Sequence, residues 1–460
     1  MSTVEQNFLS LQDFSKGRYS QAAVGDASAP VNSVSDSTNV NFGEIIGSAI
    51  VRLGTTLLGS TIASNKTPLG FAEYLSADAT TYKNLVAVFS GASNATIYYF
   101  NGSVWTASNK TNLSNTLYNR MAMLGNQMFI TNSTDGMFIS SDGGATWAST
   151  ANSITAATPS IKPSLLIRTK ARLLASGAPT QSPSRVFFSS IIDPTTVPGT
   201  ITWNTTAVGG DWIDVNPDDG DYNTAFAETS NVTLVFKSKG MYRLDVISKT
   251  VDTQNVFNIG AVSQEAVVNC RGTVYFFSGK GIFRTTGDFP EEISRLGVQD
   301  YLTAIPQANW NLVAAGTDDS NVYFSIGNVT LMTNQNEQKT VNNVVLKFSI
   351  RDELWSVHSY AQQPRFYNSY TDSNGRLMRS LDTAGNCQTV NLGTTDNGTP
   401  IFYELITQNQ SLGDRSHLNK ISDKIVVFSK NGLDSQLQIQ AQDDDFKDCG
   451  IYLDGSRVFI

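Results

Sequence analysis

Charged residues are scarce in this chain of 460 residues: they make up 16% of it, against about 25% in an average domain. The 32 basic and 40 acidic side chains leave a net charge of −8 at pH 7. The chain therefore has no basic surplus with which to hold phosphate backbones, which argues against nucleic-acid binding by charge attraction. Ser, Thr, Asn and Gly take the place of charge, and these residues favour turns and solvated strand faces over helix surfaces.

Cysteine and histidine are also rare. The three cysteines, Cys270, Cys387 and Cys449, are far apart in sequence, which fits neither a disulfide framework nor a zinc site of paired thiolates. The two histidines are His358 and His417, so metal and Ser-His-Asp chemistries lack their usual residues. We therefore expect no metal, no cofactor and inert thiols from a reducing compartment.

An export signal and a membrane span are missing as well. Residues 1–18 contain acidic and polar residues where a signal peptide has a basic stretch and an apolar run, so no Sec export is indicated. Residues 45–63 are long and mostly uncharged, but Arg52 lies in the middle among Gly, Ser and Thr. Two strands with a turn at Gly54 explain this segment better than a transmembrane helix does, and we expect no membrane anchor.

Short strand signals dominate the rest of the chain. Runs rich in β-branched and aromatic residues, such as 84–91, 231–244 and 272–284, are bounded by Gly, Asn, Asp or Ser, as strands and their turns are. Helical periodicity is almost absent, and residues 290–305 are the best candidate for one helix. The sequence therefore predicts an all-β protein.

The hairpins recur at intervals of roughly 40–50 residues, which is the length of one four-stranded propeller blade. Residues 50–420 would supply about seven or eight such blades. We therefore predict a β-propeller over residues 43–460, in which strands of residues 401–460 either close the ring or form a small β subdomain. A pair of β-sandwiches is the alternative that this pattern leaves open.

The first 42 residues have a different composition. They show little periodicity and contain much Ala, Ser and Gly, so alone they would not bury enough apolar surface to become ordered. We predict that residues 1–42 are an extended N-terminal arm laid on a neighbouring subunit.

One motif, "SSDGGATW" at residues 140–147, resembles the Asp-box, a hairpin-turn motif of sialidases and other β-propellers. Its five motif residues are Ser140, Asp142, Gly144, Thr146 and Trp147. In such a turn, the carboxylate and hydroxyl groups bind backbone amides, while Trp packs between strands. The Phe/Tyr-Arg-Ile-Pro motif that opens a sialidase is missing, because Arg52 in "IVRLGT" lacks the Pro. We therefore expect a structural turn and no enzyme.

The densest acidic cluster is "DVNPDDGDYN", residues 214–223. It nearly fits a calcium loop, but Gly220 comes one place late and no Glu ligand follows at the required distance. We interpret the cluster as a solvated turn before a strand, without a metal. The turn itself contains the three carboxylates of Asp218, Asp219 and Asp221.

A longer similarity spans most of the chain. Residues 13–55, with "DFSKGRYS", "NVNFGEI" and "VRLGT", are similar to the opening of tailed-phage virion proteins of the tail-hub or head-completion (DNA-stabilisation) β-propeller kind. Segments 185–203, 210–244, 258–294 and 344–358 follow in the order that we associate with that family. The shared motifs are hairpins rather than catalytic signatures.

The resemblance implies a non-enzymatic virion protein that is assembled in the bacterial cytoplasm. It implies a homohexameric ring in the phage tail or neck, below the portal and adaptor, which helps to retain the packaged genome and passes it during ejection. Expected partners are other copies of the chain, the adaptor, a tail fibre or spike, and the tail tip. Duplex DNA would pass through this channel without specific binding, since a low-charge, net-acidic wall has few cations to hold the phosphates. Asp218, Asp219 and Asp221 are our candidates for an acidic turn that faces the channel.

Two alternatives remain open. The first is a phage-borne glycan-binding or sialidase-like propeller, and the second is a bacterial surface lectin. An Arg triad that converges in a central pocket would favour an enzyme, whereas a broad flat lateral face with an exchanged arm would favour a ring.

Overall fold

The structure is a computed structural model that describes most of the chain between residues 14 and 407. The described residues are 14–19, 32–44, 47–63, 66–76, 82–149, 154, 162–170, 172–177, 182–191, 201, 203, 211–332, 338–372, 375–407, 438–439 and 451–452.

Five short strands come before the first complete blade. They are β1 (Gly17–Arg18), β2 (Ser33–Thr38), β3 (Val40–Phe42), β4 (Ala49–Val51) and β5 (Thr55–Leu57).

Six consecutive blades follow, and each is a four-stranded antiparallel meander. Blades one to three contain β6 (Pro68–Leu75), β7 (Lys83–Phe89), β8 (Thr96–Phe100) and β9 (Trp105–Ala107); β10 (Arg120–Leu124), β11 (Gln127–Asn132), β12 (Gly136–Ser140) and β13 (Ala148–Ser149); β14 (Leu165–Thr169), β15 (Arg172–Ser176), β16 (Arg185–Phe188) and β17 (Trp212–Asp214). Blades four to six contain β18 (Asn223–Glu228), β19 (Thr233–Lys237), β20 (Met241–Asp245) and β21 (Thr250–Phe257); β22 (Val267–Cys270), β23 (Thr273–Phe277), β24 (Ile282–Thr285) and β25 (Glu291–Glu292); β26 (Ala314–Thr317), β27 (Asn321–Met332), β28 (Gln338–Ser349) and β29 (Leu354–Ser359).

The seventh blade is built from two distant parts of the chain. Its later strands and their extension are β30 (Pro364–Asp372), β31 (Gly375–Asp382), β32 (Cys387–Val390), β33 (Thr395–Asp396) and β34 (Thr399–Pro400). β5 supplies the fourth strand by pairing antiparallel with β32, with Thr56 opposite Thr389. The strand that closes the seventh blade therefore comes from the N-terminal side, not from residues 401–460, which we had predicted as one option.

The inner strands of neighbouring blades contact one another around a complete circle. The order of contact is β6, β10, β14, β18, β22, β26, β30 and back to β6. This circle confirms the predicted all-β propeller and gives it seven blades. We call the face that carries the connections between blades the upper face, and the opposite one the lower face.

The core lies between the blades, because each strand presents apolar side chains on both of its faces. In β7, Leu85, Ala87 and Phe89 pack towards blade seven. The alternate residues Val86 and Val88 pack towards blade two. Burial on both faces explains why the strand is a continuous apolar run, and each such large side chain contributes about 1.5–3 kcal/mol.

The predicted helix over residues 290–305 is wrong in its extent. Glu291–Glu292 form β25, the outer strand of blade five, and only α1 (Gln299–Thr303) is α-helical. Pairing with β24 outweighs the local helical pattern, because it completes the blade. Three 3₁₀ helices add the turns Pro217–Asp219, Gln264–Ala266 and Gln307–Leu312.

Residues 45–63 contain two strands on either side of Gly54, as predicted. The two strands do not pair with each other, because β4 pairs with β3 and β5 pairs with β32. A Cβ on Gly54 would lie 2.0 Å from the Thr395 carbonyl oxygen, so no larger residue fits here. Among the described residues, no helix is long and apolar enough to cross a membrane.

The described parts of the predicted arm lie on their own chain. β2 pairs with β1 and with β35 (Glu404–Thr407), while β3 packs beside β29 of blade six. Val34, Val40 and Phe42 are buried there. These three apolar residues pack against the arm's own chain, although its composition suggested too little apolar surface for that. Residues 1–13 and 20–31 lie outside the described residues, and an arm laid on a neighbour stays a prediction. Beyond residue 407, β36 (Gln438–Ile439) pairs with β37 (Ile451–Tyr452).

An ion-pair network centred on the buried Arg18 joins the arm to the propeller. The Arg18 guanidinium donates to both carboxylate oxygens of Asp300, at 3.0 and 2.5 Å, and to Asp36 at 3.2 Å. Asp36 also accepts from Lys339, which pairs with Glu404. Burial alone would raise the pKa of Asp36, but Arg18 and Lys339 hold that pKa below its usual value. The network therefore joins both terminal segments to blades five and six.

Candidate functional site

The Asp-box forms the turn between β12 and β13 on the lower face of blade two. Ser140 donates to Asp142 at 2.9 Å, and the Gly144 N–H donates to Ser140 at 3.0 Å. Thr146 donates to Asp142 through its N–H at 2.9 Å and its hydroxyl at 2.5 Å. The Trp147 indole N–H donates to the Gly144 carbonyl at 2.9 Å, and its ring is buried between blades one and two. These are the contacts expected of a structural turn.

The protonation of Asp142 also fits a structural role. Burial would raise its pKa, but hydrogen bonds from Thr146 and Ser140 outweigh burial and hold the pKa below the usual value. A glycosidase acid needs the opposite shift, because it must keep a proton to donate near neutral pH. Asp142 is therefore suited to accepting hydrogen bonds and not to acid catalysis.

The predicted acidic turn lies on the upper face and connects blade three to blade four. Both carboxylate oxygens of Asp219 accept from Lys237, at 2.7 and 2.8 Å, and the Lys237 side chain is fully buried. Asp221 accepts from the Ser238 hydroxyl at 2.8 Å. Asp218 is exposed. Two of the three carboxylates thus support the β19–β20 hairpin, and Asp218 is the one that remains a candidate for a channel-facing charge.

We expect Asp219→Lys to lower the free energy of unfolding by about 2–5 kcal/mol, because it leaves a buried lysine unpaired beside a second cation. The matched change Asp218→Lys should alter it by no more than about 0.5 kcal/mol. Urea denaturation of both variants measures the difference. Equal losses in the two variants would contradict the assignment of Asp219 as the structural carboxylate.

No metal or thiol chemistry emerges from the described part of the chain. No group of three or more His, Cys, Asp or Glu residues in it is placed to hold a metal ion. Cys270 and Cys387 are buried free thiols, and burial raises the pKa of both, which makes a thiol a poor nucleophile. Cys449 and His417 lie outside the described residues.

Arg52 joins the terminal segment to the seam between blades six and seven. Its guanidinium donates to both oxygens of Asp396, at 2.8 and 2.5 Å, to the Asn39 side chain at 2.7 Å and to the Ser359 carbonyl at 2.8 Å. It also lies 4.1 Å from the centre of the Tyr360 ring. Arg52 is almost fully buried. Its role is therefore to hold the circle of seven blades closed, not to bind a substrate carboxylate.

His358 lies fully buried beside this seam. Its Nε2 is 2.8 Å from the Asn41 Oδ1 of the arm. Burial, followed by the positive charges of Arg52 and Lys347, holds its pKa well below the usual value, while Glu44 pairs with Lys347 at 3.1 Å. His358 is therefore neutral in the folded protein.

The unfolding free energy should fall as pH drops below about 6.5, the ordinary pKa of histidine. Because the folded-state pKa of His358 is lower, the unfolded chain takes up the proton first, so stability is complete above pH 6.5 and is lost below it. The slope from this residue is at most about 1.4 kcal/mol per pH unit. Urea denaturation between pH 5 and 7.5 tests this, and a His358→Gln variant with an unchanged slope would contradict it.

A group of exposed apolar side chains lies along the same seam, and we call it the seam strip. Its members are Val51, Leu53, Leu392, Phe402, Tyr403 and Ile406. Two hydrogen bonds connect segments that carry them: the Leu392 N–H donates to the Gly54 carbonyl at 3.0 Å, and the Asn39 side-chain amide donates to the Phe402 carbonyl at 2.5 Å. Sequence analysis missed the strip, although "IFYELI" at residues 401–406 is apolar enough to have signalled it.

The propeller axis is bridged near the upper face. Arg120 begins β10 of blade two, and its Nη2 donates to Glu265, just before β22 of blade five, at 2.9 Å. Blades two and five are three steps apart in a ring of seven, so this ion pair crosses the axis. The propeller is therefore closed along its own axis at this level.

A groove of about 410 Å³ lies on the lower face of blade four. It is lined by the turn at residues 229–232, by Asp245 and Ile247 of the next turn, and by Lys170 and Arg243. Its lining contains both polar and apolar side chains.

No protein-family model and no curated protein matches the chain. Solved structures with a similar fold include BamB from Moraxella catarrhalis, 11% identical over 74% of this chain and 96% of its own, with a TM-score of 0.42. YCF48 from Cyanidioschyzon merolae is 8% identical over 74% of this chain and 98% of its own, with a TM-score of 0.42. The β-propeller domain of Cps50 (Swd1) from Myceliophteria thermophila is 8% identical over 74% and 99%, with a TM-score of 0.46. At these values the similarities say nothing about function.

Proposed function

We propose that this chain is a non-enzymatic structural subunit of a phage tail or neck. It forms a ring that continues the DNA channel below the portal and adaptor, helps to retain the packaged genome and passes it during ejection. Six copies are proposed from the resemblance in sequence, because one chain cannot reveal how many subunits surround it.

The seam strip is the observation that carries this proposal. Phe402 is 82% exposed, and five further apolar side chains accompany it along the seam. Apolar groups clustered on a surface mark interaction sites more often than scattered ones do. Aromatic residues are also enriched at protein interfaces. The strip therefore fits the lateral contact surface of a subunit that assembles with copies of itself.

The bridged axis supports a ring in which the DNA path lies between subunits. Because Arg120 and Glu265 meet across the propeller axis, duplex DNA has no route through the propeller at that level. A subunit that conducts DNA must then contribute one segment of a larger lumen. The net charge of −8 favours passage through it, since few cations are present to hold the phosphates.

The proposal is tested by charging the strip. A variant with Leu53→Asp and Phe402→Asp should be monomeric, since each buried carboxylate would be desolvated without a partner. Ile247→Asp is the matched control, because Ile247 is 74% exposed on blade four, away from the strip. Light scattering of the purified proteins gives the masses. A wild-type monomer, or a ring that survives both strip changes, would contradict the proposal.

The groove on blade four favours one alternative, a phage-borne glycan-binding or sialidase-like propeller. Its size and its mixture of polar and apolar groups suit a small polar ligand. Turnover of a fluorogenic sialoside, or saturable binding of a glycan that Lys170→Ala abolishes, would support this alternative over the ring.

A further inference from the structure

Four polar side chains converge where the ion pair crosses the propeller axis, and we call them the axial cluster. They are Tyr118, Arg120, Glu265 and Arg365. Arg365 reaches in from β30 of blade seven and donates to the Tyr118 hydroxyl at 2.8 Å. The Arg120 guanidinium lies 5.4 Å from the centre of the Tyr118 ring. Two cations from different blades therefore flank one tyrosine.

The charges of the axial cluster do not balance. Arg120 and Glu265 neutralise each other. Arg365 has no carboxylate within 4 Å among the residues that the structure describes, although only 8% of its surface is exposed. A guanidinium in such a place carries a desolvation cost that an anionic partner would offset.

The hydrogen-bond donors of the axial cluster also exceed its acceptors. The Nε of Arg120 is buried and has no partner in the described residues. Burial, opposed by the nearby Arg365 and reinforced by Glu265, raises the pKa of Tyr118, so its hydroxyl keeps its proton. That hydroxyl accepts from Arg365 and can donate its own proton to a further acceptor.

The Tyr118 ring is held in place to present this hydroxyl. Phe366 packs against it edge to face, with ring centres 5.6 Å apart. Phe366 follows Arg365 in the chain and belongs to the core between blades one and seven. Arg365 is therefore positioned by the inner strand β30, and Tyr118, two residues before β10, is held by its ring contact with Phe366 of the same strand.

We propose that the axial cluster binds a carboxylate, with Arg365 and Tyr118 as its donors. A carboxylate supplies the charge that Arg365 lacks, and its two oxygens match the planar guanidinium fork. The carboxylate belongs either to a small dicarboxylate or to an acidic side chain of a partner protein inserted at the axis. This inference does not depend on the proposed function.

Isothermal titration with sodium malonate, at constant ionic strength in sodium chloride, tests the proposal. We expect saturable binding by the wild-type protein and at least about tenfold weaker binding by Arg365→Gln, the loss of one charge-assisted hydrogen bond. Arg351→Gln is the matched control, because Arg351 pairs with Asp352 in the turn between β28 and β29 of blade six, away from the axial cluster. Its dissociation constant should equal that of the wild type.

The source of the carboxylate is distinguished by titrating the capped peptide Gly-Asp-Gly against Gly-Asn-Gly. Selective binding of the Asp peptide at least as tightly as malonate indicates a protein partner, and binding of malonate alone indicates a small dicarboxylate. Absence of saturable binding, or equal binding by Arg365→Gln, overturns the proposal. If Arg365→Gln does not fold, the variant Glu265→Gln provides the test. Removing the carboxylate of Glu265 should tighten malonate binding, and unchanged binding would overturn the proposal.

Discussion

Replacing Arg52 with Gln is expected to lower the free energy of unfolding by about 3–5 kcal/mol, because it leaves Asp396 buried without its partner. Both side chains are nearly inaccessible to solvent, and the guanidinium bridges the arm, blade six and blade seven. Asp396→Asn should cause a loss of similar size, and the double variant should lose less than the sum, since both changes remove one interaction. Urea denaturation monitored by tryptophan fluorescence measures all three.

Arg351→Gln is the control for this prediction. Arg351 pairs with Asp352 in an ion pair whose arginine side chain is 69% exposed, so its loss should cost at most about 1 kcal/mol. If Arg52→Gln were as stable as Arg351→Gln, the seam would not depend on the buried pair, and our account of ring closure would be wrong.

Removing residues 1–58 is expected to abolish cooperative folding altogether. The deletion takes away β5, which leaves the edge of β32 unpaired and removes Thr55, the partner of Gln388. It also removes Asn39 and Arg52 from the seam. The loss should exceed about 5 kcal/mol, a large part of the stability of most domains. Circular dichroism during thermal unfolding would show a broad transition or none.

Removing residues 1–13 is the matched control, because it shortens the chain without touching a described strand. This shorter protein should unfold with the same midpoint as the full chain. A cooperative transition in the longer deletion would show that the seventh blade closes without β5. An intermediate deletion of residues 1–42 keeps β5 but removes Arg18 and Phe42, so we expect a folded propeller of reduced stability.

The propeller could be predicted from sequence because its signals are local and repeated. Blades can be found in the sequence from apolar runs such as "NLVAVF" in β7. Such a run does not alternate between apolar and polar residues, because both faces of the strand are buried. The predicted seven or eight blades include the observed seven. Spacing alone could not choose between the two numbers, since it does not tell whether one blade takes a strand from a distant part of the chain. Blade seven takes its fourth strand, β5, from the N-terminal side, and the pairing of β5 with β32 joins residues more than 300 positions apart.

The Asp-box could be predicted for the same reason, because the hydrogen bonds among its own motif residues join residues within four positions of one another. The axial cluster could not, since Arg120 and Glu265 are 145 positions apart and nothing near either residue signals the other. The burial of the arm was underestimated for a related reason. Its buried residues find their partners in Leu354 and Leu405, which composition within the arm does not show.

The acidic turn shows that a cluster of charges in sequence can overstate how many of them are free on the surface. Asp218, Asp219 and Asp221 form one cluster in sequence, yet Asp219 and Asp221 are bound to the β19–β20 hairpin. Tests of channel charge should therefore change Asp218 alone, because changing Asp219 would damage the fold before it altered any interaction with DNA.

Cryo-electron microscopy of the purified, assembled protein tests the central claim most directly. Our account predicts a closed ring of about six copies, with its lumen between propellers and with Phe402 and Leu53 buried between neighbouring copies. The lumen should carry few Lys or Arg side chains. A protein that remains monomeric at high concentration, or a ring whose subunit contacts leave the seam strip exposed, would contradict the account.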